Sequence, residues 1–283
     1  MASGKGSVLI TGCSSGIGHC VAHGLQRRGY RVIASARRDS DVERLRGEGL
    51  TCIRLDLDDT ASIQQAIAQV AELTNKNLYA LFNNAGFGQP GAAEDLRRDV
   101  LRAQFETNVF GTLELTNAVI PWMRLAGEGR IIQNSSVLGF VSLAYRGAYN
   151  ASKYALEGFY DTLRLELADT GIHAVLIEPG PIVSRFRANA LDAWRRNIDI
   201  DNSAHREQYL ATERRLTRQG PAAPFTLGPE AVLDKVVLAL EARRPQPRYY
   251  VTFPTRLFGT LKRLLGTRAL DRVLLQVSRS EQK

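Results

Sequence analysis

The stretch VLITGCSSGIG, Val8 to Gly18, runs from a β-branched apolar segment through a loop holding Gly12, Gly16 and Gly18 into a helical pattern. A glycine-rich loop carries meaning when it closes a strand and opens a helix. Its glycines permit a tight turn and let backbone amides approach a pyrophosphate held at the helix N-terminus. The next strand pattern, YRVIASA, is followed by Arg37 and Arg38. An acidic side chain there binds the ribose hydroxyls of NAD, whereas a guanidinium matches a 2′-phosphate. The expectation is therefore NADP(H), with Arg37 as the principal contact and Ser15 assisting. Asp56, closing the third strand pattern TCIRLDL beside Leu57, is expected either to accept from the adenine amino group or to start a helix.

Outward from that loop, short apolar runs alternate with longer helical patterns: SVLIT, helix 17–28, YRVIASA, helix 41–46, TCIRLDL, helix 62–73, LYALFNNAG, helix 100–123 broken near Pro121, GRIIQNSS, a helix running to 168, and IHAVLIEPG. Strand, helix and strand with short connections predict an α/β fold: a doubly wound parallel sheet of Rossmann type with helices on both faces. Residues 184–220 are rich in Arg, Asn and Asp with scattered Leu, Trp194 and Tyr209, and are read as a helical substrate-lid insertion. Pro221, Pro224, Gly228 and Pro229 punctuate its end, helix 230–242 resumes the rhythm, and RYYVTF is expected as the final strand. With no internal repeat or linker, residues 1–283 are expected to form one domain, ending in an amphipathic tail at 255–283.

A hydrophobic content of 44%, a charged content of 23% and a net charge of +8 suit a soluble globular protein with a basic surface that welcomes a phosphate-bearing ligand. The scattered arginines bring no nucleic-acid motif, so no nucleic-acid partner is expected. Cys13, Cys20 and Cys52 form no C-x-x-C pair, which argues against a disulfide framework or zinc site and suits a reducing cytoplasm. His19 and His23 lie one helical turn apart, but no acidic or cysteine partner sits at ligand spacing, so they are read as helix-surface histidines and no metal is expected. Residues 1–10 lack a signal-peptide core, and no apolar run approaches membrane-spanning length.

Tyr149 and Lys153 fall one turn apart within GAYNASKYALEGF. A phenol titrates near ~10 in water, and a neighbouring cation favours its ionised form, so the pair suits acid/base chemistry. Together with TGCSSGIG (Thr11–Gly18), NNAG (Asn83–Gly86), Asn108 in TNVFG and Ser136 in NSSVLG, this spacing resembles the short-chain dehydrogenases/reductases. The resemblance covers about residues 7–253 and favours the short-subunit branch; it is similar to bacterial NADP-dependent aldehyde reductases and, more distantly, to retinol and 17β-hydroxysteroid dehydrogenases. It implies Tyr149 as general acid, Lys153 lowering the tyrosine pKa and holding the nicotinamide ribose, Ser136 (ahead of its neighbour Ser135) on the substrate oxygen, and Asn108 positioning a water. It further implies a cofactor site built from Gly12, Ser14, Ser15, Gly16, Ile17, Gly18, Arg37, Asp56, Leu57, Asn84, Ala85, Gly86, Tyr149, Lys153, Pro179, Gly180, Ile182 and Ser184. A homodimer or homotetramer is implied by the resemblance alone.

Leu138, Phe140, Val141, Leu143 and Tyr145 suggest an apolar wall, hence a hydrophobic aldehyde, ketone or alcohol as substrate. Reduction to the alcohol is the favoured direction. The alternatives are a retinol- or hydroxysteroid-type dehydrogenase working oxidatively and a non-catalytic NADP-binding sensor. In the tail, Leu257, Phe258, Leu261, Leu264 and Leu265 alternate with Lys262, Arg263, Arg268 and Arg272. Packing on the substrate lip or a partner subunit is favoured over contact with a membrane surface.

Overall fold

In a computed structural model that describes residues 5–218, 220 and 223–281, the chain builds a seven-stranded, wholly parallel sheet. The expected Pro221 stop and the extreme ends of the 1–283 span lie outside the described residues. The strands are β1 (Lys5–Ile10), β2 (Tyr30–Ala36), β3 (Thr51–Arg54), β4 (Ala80–Asn83), β5 (Gly129–Asn134), β6 (Ile172–Glu178) and β7 (Arg248–Tyr250), in spatial order 3-2-1-4-5-6-7. Strand order reverses between β1 and β4, which opens a crevice at their carboxyl ends. Helices α1 (Gly16–Arg27), α2 (Asp39–Gly47) and α9 (Glu230–Glu241) cover one face, and α3 (Thr60–Thr74), α5 (Gly111–Ala126) and α6 (Gly147–Glu166) cover the other.

Side chains alternate across a strand, so each strand serves both layers. Val8 and Ile10 of β1 enter the core beneath α1 and α9, while Leu9 enters the core beneath α3, α5 and α6. Phe82 and Leu81 of β4 divide in the same way, and all five side chains are fully buried. This double burial explains why the strands read as continuous apolar runs.

The expected helix 100–123 is instead α4 (Arg98–Phe105), a π-helical turn at Glu106–Phe110, and α5. Pro121 lies inside α5 without breaking it. It sits on the solvent side, where the carbonyl of the exposed Asn117 can take water in place of the missing amide. The real interruption is the π turn, and it carries Asn108 inward, where the residue is almost fully buried. Gly111 ends the turn against the chain: a Cβ there would lie 1.9 Å from the Leu57 carbonyl oxygen.

RYYVTF is strand only over β7, because Phe253 already starts α10 (Phe253–Leu264). The tail bends at Leu265–Gly266 into α11 (Thr267–Ser280), so it forms two helices. Helices α7 (Phe186–Asn197) and α8 (Arg206–Thr217) occupy the lid insertion and share a small core of Ala190, Trp194, Tyr209 and Leu216.

Beneath α6, Glu178 at the end of β6 is fully buried. Arg248 of β7 reaches Glu157 (3.1 Å), Asp161 (2.7 Å) and Glu178 (3.0 Å). The Glu178 approach is an ion-pair distance without an aligned hydrogen bond. Burial, reinforced by the nearby Glu157 charge, pushes the Glu178 carboxyl up to about 9.

Two outcomes follow from this architecture. Gly111→Ala forces α5 away from Leu57 and should lower stability by about 2 kcal/mol or more, read from urea unfolding followed by circular dichroism. The folded Glu178 carboxyl keeps its proton to about 9 against an ordinary value of 4.5, so between roughly pH 5 and 8 the folded state binds the extra proton and stability falls as pH rises, by at most ~1.4 kcal/mol per pH unit. Urea midpoints across that range should show the slope in the parent protein and its loss in Glu178→Gln.

Candidate active site

Gly12 and Gly16 adopt the left-handed conformation, φ +71° and +57°, that only glycine takes freely. They turn the chain from β1 into α1 while Gly18 packs so tightly that a Cβ would meet the Gly12 carbonyl oxygen at 2.3 Å and Asn84 Nδ2 at 2.6 Å. Ser15 is the N-cap residue, yet its side chain bonds no amide, and no acidic residue stands in the first turn of α1. The amides of Ser14, Ser15, Gly16 and Ile17 thus open a helix N-terminus fitted to a phosphate, so the residues present fit a dinucleotide's pyrophosphate. Ile17 itself packs on the core beneath α1.

Across the crevice, the backbone amides of Asn84 and Ala85 both donate to Thr11 Oγ1 at 2.9 Å. Asn84 Nδ2 donates to the carbonyls of Thr11 (2.9 Å) and Gly12 (3.2 Å), and Asn84 Oδ1 accepts from Asn134 Nδ2 at 3.0 Å. The segment after β6 closes in from a third side, since a Cβ on Gly16 would lie 2.9 Å from Ser184 Cβ. Pro179 accepts from the Val137 amide at 2.8 Å, Gly180 packs against Thr252, and Ile182 reaches the core beneath α1.

At the end of β2, Arg37 is exposed and has no carboxylate within ion-pairing distance among the described residues. Asp56, after β3, accepts from the Asp58 amide at 3.2 Å; the cap of α3 is Asp59, so the helix-start alternative falls to a neighbour. The Leu57 side chain is buried in the core and contributes no polar group to the crevice.

Lys153 and Tyr149 lie on the face of α6 toward the carboxyl ends of β4 and β5. Lys153 Nζ donates to the Asn134 carbonyl at 2.7 Å and stands 5.7 Å from the centre of the Tyr149 ring. Asn108 Nδ2 donates to Ser152 Oγ (3.1 Å) and to the Phe87 carbonyl (3.0 Å), while its Oδ1 accepts from the Phe87 amide (3.1 Å). Gly86 gives it room, with a Cβ there 3.1 Å from Asn108 Oδ1. Ser135 Oγ is committed to Glu157 at 2.5 Å, which leaves Ser136 as the serine that faces Tyr149.

Burial pushes the Tyr149 phenol up to about 12, with the Ser136 hydroxyl and the Arg146 charge pulling the other way. Desolvation of the phenolate outweighs both, so the phenol stands above its ordinary value. Burial likewise lowers Lys153 to about 8 against the opposing Glu157 charge. Protonation of both groups therefore responds to the surroundings within the site.

Several participants were invisible in the sequence. Phe186, the first residue of α7, packs edge-on against Tyr149 with ring centres 5.2 Å apart, and Gly88 is small enough to pass beneath it. Thr11 and Asn134 connect the loops, and Arg44 of α2 donates to the Ser14 carbonyl at 2.7 Å. Of the expected apolar wall, Leu138 and Val141 are buried, Phe140 packs on Tyr250 (5.8 Å) and Tyr145 joins the lid core. The exposed apolar groups near the crevice are instead Val183, Phe186, Phe225, Leu227 and Phe253. The tail packs back on the Ser136–Tyr149 loop, with Lys262 Nζ donating to the Phe140 carbonyl at 2.6 Å and Arg146 paired with Glu281. No described helix is long and apolar enough to cross a membrane. His19 and His23 do have an acidic partner, because the fold brings Glu48 of the α2 C-cap to 2.7 and 2.9 Å from their Nε2 atoms.

The model of the short chain dehydrogenase family matches residues 6–194. The uncharacterized oxidoreductase YbbO of Escherichia coli is 45% identical over 95% of this chain and 93% of its own length. Human retinol dehydrogenase 16 is 33% identical over 98% of this chain and 90% of its own. A short-chain dehydrogenase structure from Streptomyces avermitilis superposes with a TM-score of 0.79 at 30% identity, covering 99% of both chains. With the glycine loop, the 3-2-1-4-5-6-7 parallel sheet and the Ser-Tyr-Lys cluster in one crevice, the chain belongs to the short-chain dehydrogenase family, oxidoreductases that work with a nicotinamide dinucleotide.

Proposed function

We propose that this protein reduces a hydrophobic aldehyde or ketone to the alcohol with NADPH, using Tyr149 as the proton donor. The observation that carries the reading is a phenol pushed up to about 12 beside the Ser136 hydroxyl and Lys153: at neutral pH it holds its proton and can give it to a carbonyl oxygen that gains charge. The bound cofactor supplies the hydride.

In this reading Ser136 Oγ orients the carbonyl oxygen toward Tyr149 Oη. Lys153, anchored to the Asn134 carbonyl, holds positive charge where the phenolate develops. Asn108, clamped by the Phe87 backbone, holds α6 at Ser152, next to Lys153. Phe186 keeps water off one face of the Tyr149 ring.

NADP(H) is favoured over NAD(H) because Arg37 and Arg38 stand exposed at the end of β2, where no acid is present to take the ribose hydroxyls. An apolar substrate is favoured by Val183, Phe186, Phe225, Leu227 and Phe253, which expose large side chains around the segments carrying Ser184 and Thr252. A relative named retinol dehydrogenase 16 acts, by its name, on an apolar alcohol, in keeping with that class.

NADPH oxidation against medium-chain aldehydes, retinal and ketosteroids should show turnover in the parent protein and a loss of about 10²–10⁴-fold in kcat for Tyr149→Phe with NADPH affinity retained. Tight NADPH binding without turnover on any carbonyl would leave the protein a sensor and end the reductase reading. Arg37→Ala removes a charge-assisted phosphate contact and should raise KM for NADPH by roughly 10–100-fold while leaving that for NADH nearly unchanged.

A further inference from the structure

Outside the active-site crevice, the side chains of His19, His23 and Glu48 converge on one point of the α1–α2 surface. The two imidazoles are a turn apart on α1, with ring centres 4.6 Å apart, and both Nε2 atoms approach the same Glu48 oxygen, Oε2, at 2.7 and 2.9 Å. All three ligand atoms lie within 4.8 Å of one another. We propose that His19, His23 and Glu48 form a binding site for a borderline divalent transition metal, with zinc the favoured ion.

The chemistry of the donor set selects that class. Two imidazole nitrogens and one carboxylate oxygen with a fourth position open to solvent is a three-ligand zinc pattern, and imidazole disfavours calcium and magnesium. With ligand bonds of about 2.0–2.1 Å, a tetrahedral site needs donor atoms roughly 3.3 Å apart. The observed 2.7 and 2.9 Å separations must open by only about half an ångström. Side chains 36%, 20% and 31% exposed have the freedom to do so.

The ligands are also held for the task. Glu48 Oε1 is occupied by Arg44 Nη1 at 2.5 Å, which leaves Oε2 as the free ligand oxygen. Arg44 shares its charge with Asp41 and the Ser14 carbonyl, so the metal does not meet an unbalanced guanidinium. Cys20, next in sequence to His19, faces Glu230 and Asp234 of α9 and lies outside the site.

The test uses the untagged full-length protein and needs no catalytic activity, so its outcome stands apart from that of the reductase assay. Titration with Zn²⁺ by calorimetry should give one site per chain, and Co²⁺ in its place should give a visible absorption band that Zn²⁺ removes. Because the folded site gathers three ligands that are apart in the unfolded chain, the melting temperature should rise with Zn²⁺ concentration. His19→Ala, His23→Ala and Glu48→Gln should each weaken binding at least about tenfold. Circular dichroism shows that each variant is folded, and the two remaining histidines, His173 and His205, serve as internal controls through His205→Ala, which should bind as the parent does. No saturable Zn²⁺ binding, or binding unchanged in His19→Ala and Glu48→Gln, overturns the proposal.

Discussion

A chain of hydrogen bonds ties the glycine loop to the lysine of α6, and the geometry of the site rests on it. Thr11 Oγ1 receives the amides of Asn84 and Ala85, Asn84 grips the Thr11 and Gly12 carbonyls, Asn134 donates to Asn84 Oδ1, and Lys153 Nζ donates to the Asn134 carbonyl. Apart from Lys153 on α6, each member sits at the carboxyl end of β1, β4 or β5, the three neighbouring strands at the middle of the sheet. Parallel strands end in the same direction, so their last residues fall side by side and short polar side chains can bridge them. An asparagine in that position satisfies both a donor and an acceptor demand at once. The glycines matter for the same reason: a Cβ on Gly18 would collide with Gly12 and Asn84 and pull the first link apart.

Electrostatics then divide the site into layers. Lys153 is buried beside Asn134, and one turn along α6 Glu157 takes the Ser135 hydroxyl and the Arg248 guanidinium. Below it the fully buried Glu178 is pushed up to about 9 by desolvation and the Glu157 charge. Had all three acids around Arg248 been ionised, Glu157, Asp161 and Glu178 would crowd three carboxylates around one guanidinium. Keeping one acid neutral lets Glu157 serve Arg248 and Ser135 without repulsion. Ser135 is thereby fixed in place, and its neighbour Ser136 is left turned toward Tyr149.

The sheet was legible because doubly buried strands must be short apolar runs, and the glycine loop was legible because its backbone conformations have so few residue solutions. Tyr149 and Lys153 were legible as a pair because helical spacing is local. Their proton affinities were not, since desolvation depends on what packs over α6, and that includes Phe186 from the lid insertion. The break at 106–110 escaped notice for a related reason: Pro121 is a visible helix breaker, but solvent exposure rendered it harmless, whereas the π turn answers to contacts that Asn108 makes with Phe87 and that Gly111 makes with Leu57. Glu48 lies far along the chain from His23 and meets it only because α2 packs beside α1. Features set by local periodicity were readable; features set by which surfaces meet were not.

Phe186 also couples the lid to the chemistry. Helices α7 and α8 share a small core with Ala92 and Tyr145, Ile198 packs on Leu96, Val100 and Ala148, and polar contacts add to the fastening at residues 89–95: Asn197 to Gln89 (2.7 Å), Ser203 to Asp95 (2.6 Å), Tyr209 to Asp95 (2.5 Å) and His205 to Glu94 (2.5 Å). Neither cluster belongs to the two core layers beneath and above the sheet. Any shift that carries α7 outward lifts Phe186 from the Tyr149 ring and admits water to the phenol. Water relieves the desolvation that raises the phenol, so its proton affinity falls toward the ordinary value of 10. The proton affinity of Tyr149 thus depends on an aromatic contact with a residue 37 positions further along the chain.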